Sequence, residues 1–178
     1  MVLYELSDAD LLGARKRAIQ LGTLRNSFMR GRGNEIGMQG EYAVADHVSA
    51  VAEHDTYDYD LLSPGGVRIE VKSKSTTRKD APEMHYMASV ATANTKQDCD
   101  IYFFTRVIIT KSKFPTGHVW VMGFIPRAEF YDKAIFYEKG QKDPDNGYKV
   151  HQDCWNIAIG ELYQWNDVSE KDIVKLRG

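Results

Sequence analysis

The sequence has little cysteine and no long apolar run. Its 178 residues include two cysteines, Cys99 and Cys154, which are too few and too far apart for a disulfide framework or a metal knuckle. We therefore expect both to be reduced structural thiols. No apolar run approaches the length of a membrane span, and the first residues lack the basic start and apolar core of a signal peptide. These absences predict a cytoplasmic protein.

Motifs of several common enzyme classes are also absent. The histidines show no HExxH or Cys/His metal spacing, and the chain has no GxSxG elbow and no GxxxxGK[ST] loop. These absences disfavour a zinc hydrolase, an acyl transferase and a P-loop NTPase. The hydrophobic fraction of 43% and the charged fraction of 27% are those of a globular protein, and the length suits one domain over residues 1–178.

The net charge of −2 gives no global argument for nucleic-acid binding, but the charge is unevenly distributed. No acidic residue occurs between Leu11 and Asn34, and this segment carries several cations. They are Arg15, Lys16, Arg17, Arg25, Arg30 and Arg32. A second basic cluster comprises Arg68, Lys72, Lys74, Arg78 and Lys79. Such clusters can follow a phosphate backbone, or they can be the solvated faces of a helix and a loop.

The segment from Tyr57 to Lys74 has the pattern of a β-hairpin, because two alternating runs flank a Pro-Gly-Gly turn. In the second run, the apolar residues Val67, Ile69 and Val71 point to one face. Arg68, Glu70, Lys72 and Lys74 point to the other face. Glu70 and Lys72 are therefore expected to lie side by side on the polar face.

The length of the turn decides the register of this hairpin. A two-residue turn of Pro64 and Gly65 pairs Asp60 with Ile69 and leaves a lone charge on the apolar face. A three-residue loop, with Gly66 in the left-handed conformation, pairs Asp60 with Glu70 at about 5 Å between β-carbons. We prefer the second register. Two carboxylates this close favour a divalent cation between them, although an ordinary charged sheet face is an equal alternative.

Upstream, Asn34 is a plausible cap for a helix from Glu35 to about Val51. A helical wheel sets Glu41 on one side with Gly37, Val44, Val48 and Val51. We prefer an inward orientation for Glu41, and the alternative is a position at the rim. Gly37 and Gly40 permit another backbone to approach this helix closely.

Other segments predict a helix from about Ser7 to Leu21, a buried strand over 101–109, and a second strand over 118–125. A turn at 114–117 joins these two strands, and a short helix follows Pro126 over 127–134. Further along, the pattern predicts a strand over 154–159 and a helix over 169–176. The segment 81–94 is ambiguous, and partial helix is one interpretation of it.

The order of helical Glu41, Asp60, a tight turn and Glu70-Val71-Lys72 resembles the PD-(D/E)XK nuclease superfamily, particularly its small phage and bacterial members. The resemblance covers roughly residues 34–134. Within this range, the segments 99–104 and 120–126 look like the later strands of small members of the superfamily. The sequence departs from the pattern at Tyr59, where proline is common, and Asp58 is a competing candidate for the acidic position. The resemblance implies an α/β fold with a restriction endonuclease-like αβββαβ core, in which helices flank a mixed central sheet.

The resemblance also implies a metal-dependent DNA endonuclease. Asp60, Glu70 and the Val71 carbonyl would hold Mg²⁺ or Mn²⁺, with Glu41 joining through water or a second ion. Lys72 would orient or deprotonate the attacking water. Lys74, Arg30 and Arg32 are candidate phosphate contacts on duplex or branched DNA, and a homodimer is an expectation for double-strand cleavage. The alternatives are an inactive nucleic-acid-binding protein of this fold and a structural or interaction module.

Overall fold

The computed structural model describes residues 1–21, 32–53, 56–142, 147 and 149–175. The helices are α1 (Asp8–Leu21), α2 (Arg32–Val48), α3 (Arg127–Lys133) and α4 (Glu170–Lys175). The strands in the first half are β1 (Val2–Glu5), β2 (Val51–Ala52), β3 (Leu61–Leu62), β4 (Arg68–Thr76) and β5 (Met87–Ala91). They are followed by β6 (Ile101–Ile109), β7 (Pro115–Pro126), β8 (Ile135–Tyr137) and β9 (Cys154–Ala158). Within this part of the chain, no helix has the length and apolar character needed to cross a membrane.

A mixed six-stranded sheet with the order β1-β7-β6-β4-β3-β2 forms the centre of the fold. Strand β6 lies near its middle because its run of apolar side chains is buried on both faces of the sheet. It pairs in parallel with β4 and antiparallel with β7. The α/β class expected from the sequence is therefore confirmed.

Helix α2 covers one face of this sheet. Its side chains Ala43, Val44 and Val48 pack in one core with apolar residues of β4, β6 and β7. Helix α1 packs on α2, and Ile173 of α4 joins the same core. The odd-numbered residues of β4, including Ile69 and Val71, point into this core, as their alternation predicts.

The opposite face of the central sheet packs against a second sheet. This sheet is antiparallel with the order β5-β9-β8. Its Ala88, Val90 and Ile157 share a second core with side chains from β6, β7 and α3. The even-numbered side chains of β4 point toward this second sheet, because the odd-numbered ones occupy the α2 side.

Several predicted elements are confirmed with small changes at their ends. Strand β6 has the expected bounds, and β7, β9, α3 and α4 match their segments closely. Ser7 caps α1 as expected, because its hydroxyl accepts the Asp10 N–H at 3.2 Å and its own N–H donates to the Asp10 carboxylate at 3.3 Å. Both cysteines are free and buried, and burial raises the pKa of Cys99 to about 12.

Other expectations are wrong. Segment 81–94 contains strand β5 and then a short 3-10 helix over Thr92–Asn94, so only its end is helical. Strands β1, β2 and β8 were not expected. These short strands are formed by pairing with distant partners, which local periodicity does not reveal. Helix α2 ends at Val48 because Ser49 has a positive φ of 54°, so Val51 belongs to β2. The turn between β6 and β7 lies over 110–114, where the Thr110 N–H donates to the Phe114 carbonyl at 2.8 Å.

The preferred register of the hairpin is confirmed. Leu61 pairs with Ile69 and Leu62 with Arg68, and Gly66 has a φ of 80° in a loop closed by bonds from Ser63 to Val67 and from Gly66 to Ser63. The first arm is shorter than expected, because β3 comprises only Leu61 and Leu62. Asp60 therefore lies just beyond the paired strand.

Gly40 brings α2 close to β4 and β6. A β-carbon at this position would lie 2.0 Å from Ser73 Oγ and 2.6 Å from Thr105 Oγ1, whereas one at Gly37 would meet nothing within 4 Å. We expect Gly40→Ala to lower the free energy of unfolding by about 1–3 kcal/mol through overpacking. Gly37→Ala is the matched control and should raise it by about 0.5–1 kcal/mol. Urea unfolding measures both, and equal effects of the two substitutions would contradict the close packing.

Candidate functional site

Glu70, Lys72 and Gln97 form a closed hydrogen-bonded triangle on the second-sheet side of β4. Lys72 Nζ donates to Glu70 Oε1 at 2.6 Å and to Gln97 Oε1 at 2.8 Å. Gln97 Nε2 donates to the same Glu70 Oε1 at 2.8 Å. The side chains of Glu70 and Lys72 are only 6% and 12% exposed, so their charges are held largely away from water.

Gln97 is the member of this triangle that sequence reasoning missed. It is buried in the segment before β6, and its amide also donates to the Tyr57 carbonyl at 3.1 Å. The amide thus holds Glu70 and Lys72 together and links both to the chain before β3. No local pattern marks this residue, because its contacts lie 25 or more residues away along the chain.

Asp60 bonds β4 through both its backbone and its side chain, and its backbone N–H donates to the Ile69 carbonyl at 2.9 Å. Its carboxylate Oδ2 accepts the backbone N–H of Val71 at 2.8 Å. Residue pairing between β3 and β4 begins with Leu61 and Ile69. The carboxylate of Asp60 therefore bonds β4 just beyond the paired residues. Asp58, the competing acid, instead accepts a long bond of 3.4 Å from the Asp98 N–H.

Glu41 follows Gly40 on α2 and is half-buried. Burial raises its pKa to about 7, and the neighbouring Glu70 carboxylate raises it further, while Arg17 and Lys72 oppose the shift. Burial likewise raises the pKa of Asp60 well above its ordinary value, with Glu41 and Glu70 adding to the effect. The charges of Glu41, Asp60 and Glu70 therefore act on one another, and Lys72 opposes them; we refer to the three acidic residues as the carboxylate cluster.

The donor atoms suit a hard divalent cation in part. Glu70 Oε2 is buried and accepts no hydrogen bond from the described residues, which is costly for a carboxylate oxygen. Across the described ranges, however, no three His, Cys, Asp or Glu side chains converge as a ready metal site. A magnesium ion needs only one or two carboxylates when waters and phosphate oxygens complete its octahedron, so this cluster fits that mode of binding.

The candidate phosphate contacts have different outcomes. Lys74 lies on the same face of β4 as Lys72 and donates to the Met87 carbonyl at 3.1 Å and to Ser89 Oγ at 2.6 Å. Arg32 is the first residue of α2. Arg30 lies outside the described residues, as does Arg25 of the same basic segment.

Arg68 does not contribute free charge to the second basic cluster. Its guanidinium pairs with Asp98 at 2.6 Å and with Asp100 at 2.9 Å. Asp100 Oδ2 also accepts the Arg68 backbone N–H at 2.7 Å, so this arginine joins the start of β4 to the start of β6. Its role is therefore structural.

Neither a scan against protein-family models nor a comparison with curated proteins finds a match to this chain. The function is therefore inferred from the residues and their geometry.

The raised pKa of Glu41 predicts a pH-dependent stability. Between its ordinary value of 4.5 and about 7, the folded state binds more protons than the unfolded chain. The free energy of unfolding should therefore fall as pH rises through this window, by an amount on the order of 1 to 3 kcal/mol. Urea unfolding in EDTA measures this slope.

We expect Glu41→Gln to reduce the slope, because the amide has no proton to lose, and the slope that remains reflects Asp60, whose pKa is also raised. Glu35→Gln is the matched control, since Glu35 lies on the same helix and outside the carboxylate cluster. A wild-type slope in Glu41→Gln would show that this carboxyl does not titrate as described.

Proposed function

We propose that the protein is a metal-dependent DNA endonuclease that hydrolyses phosphodiester bonds. The observation that carries the proposal is the buried Glu70 Oε2, which accepts no hydrogen bond from the described residues. Glu70 also interacts electrostatically with Glu41 and Asp60, and Lys72 opposes the effect of these carboxylates. Such a cluster is unfavourable in the absence of a cation, and a nearby phosphodiester would add further negative charge. A divalent cation would offset the charge of the carboxylates, and it would also allow a phosphodiester to approach them.

The order of elements supports a restriction endonuclease-like core. Helix α2 carries Glu41, Asp60 precedes β3, β4 carries Glu70 and Lys72, and β6 pairs in parallel with β4. This order matches the first part of the αβββαβ arrangement that the sequence resemblance implies. It departs from that arrangement between β4 and β6, where the chain carries β5 and a short 3-10 helix in place of an α-helix. The second sheet of β5, β8 and β9 is then an addition to that core.

Mg²⁺ or Mn²⁺ would be held by Asp60, Glu70 and the Val71 carbonyl, with Glu41 contributing through water or a second ion. When bound, the ion supplies positive charge for the scissile phosphate and lowers the pKa of water. Glu41 and Asp60 must be ionised for this role, so metal uptake is expected to release protons.

Lys72 is suited to stabilise the charge that develops on the phosphate. Its ammonium has three N–H donors, and two of them are directed to Glu70 and Gln97. Gln97 holds the ammonium in place, so a substrate oxygen or the attacking water meets an already oriented donor. Burial strengthens this interaction, because little water competes for the same proton.

An inactive DNA-binding protein and a structural module are the alternatives. Neither accounts for the unfavourable charge interactions among Glu41, Asp60 and Glu70, because a DNA-binding protein gains nothing from buried negative charge near a polyanion. Metal binding and cleavage distinguish these possibilities.

Cleavage provides the first test. Wild-type protein should nick or cut at least one of supercoiled, linear, single-stranded and four-way-junction DNA in Mg²⁺ or Mn²⁺. Asp60→Asn, Glu70→Gln and Lys72→Ala should each lower the rate by about 100-fold or more, because each removes charge stabilisation at the reacting phosphate. Asp132→Asn is the matched control, since Asp132 is exposed on α3, and it should cleave like wild type. Intact substrates in every wild-type reaction would overturn the proposal, and full activity of the three variants would overturn the site.

Metal binding provides the second test. Mn²⁺ at about 100 times its dissociation constant should stabilise the folded protein by about 2.7 kcal/mol. This gain corresponds to a rise of several degrees in the melting temperature of a chain of this size. Asp60→Asn and Glu70→Gln should lose the shift, whereas Asp132→Asn should keep it. Equal shifts in all four proteins would assign the ion to another site.

A further inference from the structure

A cleft of about 1000 Å³ separates β4 from the second sheet. Its walls carry the cations Lys72, Lys74, Arg78 and Arg106. No Asp or Glu occurs among the described residues that line it. Because Lys72 belongs to both the cleft and the candidate site, the cleft adjoins that site.

We propose that this cleft binds the sugar-phosphate backbone of the substrate DNA and delivers it to Lys72, with Lys74 and Arg106 as the principal phosphate contacts. The inference rests on the proposed function, because it takes the substrate to be DNA. It assigns a binding role to the second sheet, which carries none of the proposed catalytic residues. A groove lined by cations, with no acidic residue among its described lining residues, is the expected complement of a polyanion.

Lys74 lies across the floor of the cleft. It bridges β4 to β5 through the Met87 carbonyl and Ser89 Oγ, and Ser89 in turn bonds Asn156 of β9. The Met87 carbonyl and the Ser89 hydroxyl orient the ammonium across the cleft toward β5. Ser89 and Asn156 themselves line the cleft and can bond phosphate or sugar oxygens.

Arg106 of β6 is held from the side of β5. Its Nη2 donates to the Met87 carbonyl at 3.3 Å, and its guanidinium lies 5.5 Å from the centre of the Tyr86 ring. No carboxylate among the described residues pairs with it, and its Nε is buried without a hydrogen-bond partner there. Burial lowers the pKa of Arg106 because desolvation disfavours the charged form. A phosphate in the cleft would supply the missing counter-charge, and the planar guanidinium suits two phosphate oxygens.

Arg78 is expected to matter less. It is exposed and partly neutralised by Glu83 at 3.6 Å, and it also bonds the Tyr86 hydroxyl at 2.6 Å. Its charge therefore lies at the mouth of the cleft and not on its floor.

These donors are ammonium, guanidinium and hydroxyl groups, which contact the backbone and carry no sequence information by themselves. Binding should therefore be similar for unrelated sequences and should weaken steeply with salt. Each lost phosphate contact should reduce the salt slope by about 0.9 for duplex and about 0.7 for single-stranded DNA.

The test measures binding in EDTA, where cleavage does not interfere, by fluorescence anisotropy of labelled duplex and single-stranded DNA. Two unrelated sequences are titrated between about 50 and about 200 mM salt. Lys74→Gln and Arg106→Gln should each weaken binding about five- to tenfold and reduce the slope by about one contact. Lys171→Gln is the matched control, because Lys171 is exposed on α4, which packs on the opposite core. It should bind like wild type.

Arg106→Lys shows whether weaker binding comes from the lost charge or from unfolding, because lysine retains a cation at the same position. We expect it to keep a slope close to that of wild type, and thermal melting identifies any variant that does not fold. Lys74→Gln and Arg106→Lys remain decisive if Arg106→Gln unfolds. Wild-type affinity and slope in Lys74→Gln would overturn the cleft proposal even if the enzyme cleaves DNA. Weakened binding with no cleavage by wild type would support the cleft and overturn the nuclease.

Discussion

The close packing of α2 on β4 and β6 at Gly40 is the constraint on which the rest of the structure depends. Any larger side chain there would collide with Ser73 and Thr105. The next residue on the helix is Glu41, so the approach that completes the first core also brings a carboxylate toward Asp60 and Glu70. Stability and the chemistry of the site are therefore coupled through one helix.

Electrostatics divides the molecule into two adjoining regions. The carboxylate cluster is negative and partly desolvated, which is why the pKa of Glu41 rises to about 7. The cleft beside it is lined by cations and, among the described residues, by no acid. Lys72 lies at the boundary and bonds Glu70 on one side while lining the cleft on the other. A phosphodiester held by the cleft would meet the carboxylates at this boundary, and only a cation would make that meeting favourable.

The second sheet explains how a protein with a net charge of −2 could bind DNA. Strands β5 and β9 supply the wall opposite β4, so the cations of β4 and β6 face one cleft. Arg68, which the sequence groups with these cations, is instead neutralised by Asp98 and Asp100.

Features that depend on neighbouring residues were predictable from the sequence alone. The alternation of β4, the capped start of α1, and the register imposed by Gly66 follow from backbone geometry over a few positions. The partners of Arg68, the contribution of Gln97 and the cleft at Arg106 could not be predicted from the sequence, because they depend on the tertiary structure. These features join segments far apart in the chain, so their energies come from burial and from long-range hydrogen bonds that no local pattern records.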